Sequence, residues 1–109
     1  MWAQLITARL KPGKDEDLLA VMEQLRALEQ PGSGLVRSTT MRDENDPSRA
    51  YMLVVFESEE KARAREKARE TESDPGRREA TQAVMAALAG LFDGAPEFTD
   101  LTVVEEMSP

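Results

Sequence analysis

The run Tyr51-Met52-Leu53-Val54-Val55-Phe56 constrains the fold of this chain more than any other stretch. Side chains along a strand leave alternately on opposite faces, so Met52, Val54 and Phe56 make one apolar face and Tyr51, Leu53 and Val55 make the other. A strand greasy on both sides has to be covered on both. With 109 residues the chain suits one domain, residues 1–109, with one core and a single helical layer on its sheet. That layer shields one face. A second copy of the chain is the expected cover for the other, which predicts a homodimer.

The flanking sequence supplies the remaining parts of such a fold. Trp2 to Leu10 alternates loosely around Leu5, Ile6 and Thr7 and stops at Pro12-Gly13, as a first strand would. Asp15, Glu16 and Asp17 then place negative charge on the first turn of a segment in which Leu18, Val21, Met22, Leu25 and Leu28 recur at helical spacing, ending near Gln30 and the Pro31-Gly32 stop. Gly34 to Arg42 and Ala50 to Glu57 read as the arms of a hairpin, joined by the turn-forming run Asp43 to Ser48. Ser58 to Glu70 reads as an exposed helix. Asp74 is the expected cap of a further helix, with Pro75 at its first position and Ala80, Ala83, Val84, Ala87, Leu88, Leu91 and Phe92 as its stripe. Phe98 to Glu105 makes a last strand before a polar tail. The order β-α-β-β-α-α-β predicts an α+β, ferredoxin-like fold, a four-stranded antiparallel sheet with helices on one face.

Composition removes several function classes. The chain has no cysteine and no histidine, which excludes disulfides, thiolate nucleophiles, histidine-based triads and most zinc, copper and haem ligation. A formal net charge of −7 opposes phosphate backbones and anionic membranes, and the one basic cluster, Lys61 to Arg69, is diluted by Glu59, Glu60, Glu66 and Glu70. No nucleic-acid or membrane partner is expected. No apolar run approaches the roughly 20 residues of a membrane span, and the N-terminus lacks the basic flank and cleavage site of a signal peptide, so a cytoplasmic location is expected. Asp43, Glu44 and Asp46 lack the spacing of a calcium loop and read as a solvated turn. No metal or cofactor is expected.

Several stretches taken together resemble a known family. They are Leu10-Lys11-Pro12-Gly13-Lys14 closing the first strand, the Pro31-Gly32 turn, Arg42-Asp43 with Asp46-Pro47-Ser48, and a strand ending Phe56-Glu57-Ser58-Glu59-Glu60-Lys61-Ala62. This pattern resembles the antibiotic biosynthesis monooxygenase family of dimeric α+β barrel proteins, which also includes haem-degrading enzymes. The resemblance implies a homodimer whose sheets face each other, with a pocket in each subunit between sheet and helices. It further implies that Ile6 stands where haem-degrading members carry a polar pocket residue, Phe56 where members often carry Trp, Val54 where an acid is common, and Arg65 close to a frequent His. Haem degradation is therefore disfavoured. A cofactor-independent monooxygenase acting on a small aromatic such as a quinol or anthrone survives these departures, and so does a ligand-sensing or structural dimer without catalysis.

Candidate site residues follow from the two-residue strand period and this comparison. Gln4 and Ile6, with Met52, Val54 and Phe56, fall on the pocket side, where Gln4 is the one group able both to donate and to accept hydrogen bonds. Its plain alternative is a solvent contact, and that of Met52 and Phe56 is core packing. Arg65, between Ala62 and Ala68 on the least polar side of its helix, is placed to bind an anionic substrate oxygen; the alternative is that it pairs with a glutamate. Lys61 shares that side. Trp2, Tyr51, Leu53 and Val55 are assigned to the subunit interface, with Arg37 as a partner for an acid there.

Overall fold

The computed structural model describes all residues, Met1–Pro109. Four stretches become strands, β1 (Trp2–Arg9), β2 (Leu35–Arg42), β3 (Arg49–Phe56) and β4 (Glu97–Thr102). They form one antiparallel sheet in the order β2-β3-β1-β4. The two-faced strand β3 thus lies inside the sheet, paired on both edges, where its continuous apolar character belongs. In the β1–β3 register Trp2 faces Phe56, Gln4 faces Val54, Ile6 faces Met52 and Ala8 faces Ala50. This is the ferredoxin-like α+β arrangement expected.

A turn of 3-10 helix at Asp15–Asp17 leads into α1 (Leu18–Ala27), and α2 (Glu59–Glu70) and α3 (Pro75–Leu91) follow β3. The helix layer is uneven. At one end of the sheet α1 packs on α3, and Leu10, Leu18, Val21, Ala50, Val84 and Leu91 form the core. Ala8 and Ala50, 3% and 0% exposed, face each other across the central strands, and their small size lets the helices come close. At the other end α2 rests on β3, with Ala62 and Phe56 buried beneath it. Gly34 closes that end: its φ is +85°, and a Cβ there would come within 2.6 Å of the Lys61 Cβ, so only glycine lets the loop before β2 approach α2.

The termini of the elements differ from the sequence expectations in informative places. The Asp74 side chain makes no capping hydrogen bond; only its backbone oxygen accepts, from the Arg78 N–H at 3.0 Å. Ser58 caps α2 instead, its hydroxyl accepting from the Lys61 N–H at 3.2 Å. An irregularity between Leu35 and Arg37 inserts Val36 into β2 and turns Arg37 onto the face of Val55.

The largest difference concerns the C-terminus. β4 ends at Thr102, not Glu105, because the chain turns across the sheet on the side away from the helices. The Val103 N–H donates to the Met1 carbonyl at 3.1 Å, and Glu106 reaches Arg37 at 3.0 Å. Since β4 and β2 are opposite edges of the sheet, the tail passes over Ala3 and Val55, which are 4% and 2% exposed. The expectation that a lone chain shields only one face therefore needs correction: Val55 is covered from within. Tyr51, Leu53 and Leu5 remain half-buried, and Met41 and Leu101 stay exposed on the same face. A chain ending at Thr102 should lose about 1.5–3 kcal/mol, the usual contribution of one buried aliphatic side chain. Urea melts of the two lengths check this, and equal midpoints would mean that the tail covers nothing.

Candidate functional site

All five strand residues assigned to the pocket side lie on the helix side of the sheet, as β1–β3 pairing requires. They do not share one environment. Met52 and Phe56, 3% and 5% exposed, are core, which is their plain alternative. Gln4, Ile6 and Val54 are half-buried, so the helices seal this middle part of the sheet less fully than the Ala50 and Phe56 ends. Strand β4 adds two residues that the sequence did not single out. Phe98, opposite Ile6, is 59% exposed, and Asp100 lies opposite Gln4.

A polar group gathers at the rim of this surface. The Gln4 side-chain N–H donates to Asp100 Oδ1 at 3.0 Å, and Arg63 of α2 sits 3.4 Å from Asp100 Oδ2. The Arg63 guanidinium also lies over the Trp2 ring, 5.3 Å from its centroid, and Trp2 meets Phe56 at 6.1 Å between centroids. Trp2 thus packs on the helix side, opposite the face of Tyr51, Leu53 and Val55 with which it was grouped. The cause is the strand period, which places Trp2 with Gln4 and Ile6. Asp100 and Arg63 carry no recognisable motif, and only the β1–β4 register brings them together.

Arg65 takes the alternative path. Its Nε lies 3.1 Å from both carboxylate oxygens of Glu29, just beyond the end of α1, and its guanidinium stacks 5.3 Å from the Phe56 ring centroid. Arg69, one turn on, reaches the same carboxylate at 3.6 Å. Burial pushes the Glu29 carboxyl up, yet the Arg65 hydrogen bonds and the charges of Arg65 and Arg69 outweigh it and hold the group below the ordinary carboxylate range. The pair borders a cavity of about 320 Å³ between the Leu28–Ser33 turn, α2 and the start of α3. Lys61 and Arg77 also line it, while Gln4, Ile6, Met52, Val54 and Phe56 do not. Lys61 pairs with Glu57. Of the strand residues with which it was grouped, Arg65 therefore meets Phe56, through the stacked ring, while its charge is spent on Glu29.

On the far face, Tyr51, Leu53 and Val55 lie together, and Arg37 does pair with an acid, Glu106 of its own tail. The hairpin loop uses its acids as turn acceptors. Asp43 Oδ1 accepts from the N–H groups of Asn45 and Asp46, and Asp46 Oδ1 from the N–H and hydroxyl of Ser48.

The four-stranded sheet with helices on one side and a half-open surface beneath them defines a ferredoxin-like α+β protein. The family model for antibiotic biosynthesis monooxygenase matches residues 1–73, and the chain belongs to that family. Solved structures agree in fold. A protein of antibiotic biosynthesis monooxygenase type from Nitrosomonas europaea superposes with a TM-score of 0.71 at 15% identity, over 96% of this chain and 100% of its own. SnoaB, a cofactor-independent oxygenase from Streptomyces nogalater, gives 0.64 at 17%, covering 99% and 98%. MhuD with manganese protoporphyrin IX bound gives 0.69 at 15%, covering all of both chains. No curated protein matches the sequence.

The Glu29 clamp has a pH signature. A folded-state pKa below the unfolded value contributes stability at neutral pH, and this is lost as pH falls below about 4.5 toward the folded value. Glu29→Gln should lower stability at pH 7 by about 1–3 kcal/mol, the range for losing a charge-assisted bond in a half-buried site, with the gap from wild type narrowing as the pH falls below 4.5. Denaturant melts above and below that pH check it.

Proposed function

We propose that the chain is a homodimeric small-molecule-binding protein whose ligand, a flat aromatic of the quinol type, lies on the helix-side surface of Ile6, Val54 and Phe98. The observation that supports this is the gap in the helix layer. Ile6, Val54 and Phe98 stay half-buried or exposed on a side whose two ends are otherwise sealed. Apolar side chains with a few convergent polar groups suit a ring carrying a hydroxyl. Gln4 would orient that hydroxyl, and Arg63, shared among Glu59, Glu66 and Asp100, would turn toward it and favour its deprotonated form.

Oxygenation without a cofactor asks little more of the protein. The electron-rich anion itself reduces dioxygen, and the chain holds the ring, favours the anion and keeps water away. Haem fits less well, because the helix side offers no imidazole, thiolate or phenolate to an iron and Arg65 has no lone pair to give. A second reading, ligand sensing without turnover, draws support from the mutual satisfaction of Gln4, Asp100 and Arg63, which leaves no unengaged base. Dimer formation is favoured by the apolar face that the tail leaves uncovered around Leu5, Tyr51 and Leu53.

The sole tryptophan, Trp2, reports on this surface. Titration with a naphthoquinol or an anthrone should quench its fluorescence saturably, with oxygen uptake in an electrode. Arg63→Gln should slow uptake about 100-fold, as loss of one charge-stabilising group commonly does. Saturable quenching with no uptake would select the sensing reading, and neither signal would end the ligand reading. Light scattering at micromolar concentration should return twice the 12.1 kDa of one chain, and a 12.1 kDa particle would end the dimer.

A further inference from the structure

The cavity between α1, α2 and α3 carries a charge opposite to that of the molecule. In a chain of net charge −7, it is lined by four basic side chains, Lys61, Arg65, Arg69 and Arg77, against two acidic ones, Glu29 and Glu72. The two acids do not spend the basic capacity. Glu29 binds Arg65 on both oxygens, leaving Arg69 a long 3.6 Å approach to an oxygen already taken. Arg69 donates no hydrogen bond anywhere, although its side chain is only 28% exposed. Arg77 donates to the Leu28 carbonyl at 3.2 Å and to the Gln30 side-chain oxygen and stands 3.6 Å from Glu72, so Arg69 is the basic group with donors to spare.

A guanidinium has five donors in a planar fork, and one that is half-buried without using them is costly. Burial, and then the neighbouring Arg65 charge, lower the Arg69 pKa, while Glu29 only partly offsets them. We propose that this cavity is a binding site for a small molecule with a doubly negative head, a phosphate or a dicarboxylate, held by Arg69 and Arg77 with Arg65 and Lys61 beside them. The lining itself carries two more basic than acidic groups, one of them, Lys61, shared with Glu57 just outside it. At about 320 Å³ the space accepts the head and a small organic body, and the stems of the arginines with Leu28 and Pro31 give that body an apolar wall. The site is distinct from the helix-side surface, and neither depends on the other.

Inorganic phosphate and malonate are the probes, each at 10 mM with sodium chloride at matched ionic strength as control. A head bound about tenfold below that concentration should raise the melting temperature of the full chain by about 4 °C or more. Phosphate alone acting would point to a phosphorylated ligand, malonate alone to a dicarboxylate, and both to any compact dianion. Arg69→Gln should abolish the rise while melting within about 2 °C of wild type without probe, because relief from Arg65 and from burial offsets the lost approach to Glu29; Arg69→Lys should keep part of the rise. Amide shifts in NMR titrations should move at Gly32, Ser33, Arg69 and Arg77. No rise above the chloride control, or an equal rise in Arg69→Gln, would overturn the site and leave the quinol surface untouched.

Discussion

Pairing of β1 with β3 at the centre of the sheet governs everything else in this molecule. It puts the continuously apolar strand where both its edges are bonded, and it lays down a gradient of side-chain size, from Ala8 opposite Ala50 at one end to Trp2 opposite Phe56 at the other. Small residues let α1 and α3 share a core with Ala50 at one end; at the other, α2 rests on β3 with its arginines laid across the aromatic pair. Three helices cannot close both ends and the middle together, and the interval left over exposes Ile6, Val54 and Phe98. The opening is thus a consequence of packing, not of a loop.

Charge organises the second region. Residues 59–70 look from their composition like a solvated helix, and half of its surface is one. The other half turns Arg65 and Arg69 inward to a single glutamate from beyond α1, so one carboxylate joins two helices. Such a clamp is worth more than a surface pair because its groups are about four-fifths shielded, but one acid cannot satisfy two guanidinium groups.

Much of the fold was legible. Periodicity and turn chemistry located every strand and helix to within a few residues; the two-residue alternation grouped Gln4 with Ile6 and Met52 with Val54 and Phe56, and the family resemblance put the two groups on one side, where the β1–β3 register has them. The same alternation places Trp2 with them, although its size and single N–H donor suggest the subunit interface. What stayed illegible depends on long-range juxtaposition. Glu29 lies 36 residues from Arg65, and Asp100 lies 96 from Gln4, so no local pattern links them. The tail was unreadable for a different reason: Val103 to Pro109 has too little periodicity to declare a path, and its course follows from the Arg37–Glu106 pair and the Met1 carbonyl.

That bond between Val103 and Met1 places the two ends of the folded body side by side at one corner of the sheet. A short bridge from Val103 would displace the tail from Val55, so a splice that keeps the core intact has to start beyond Glu106 and run back across the sheet, with the chain reopened at the exposed Glu44-Asn45 tip of the hairpin. The linear order of the elements is then a matter of ancestry, since the spatial arrangement would tolerate another starting point.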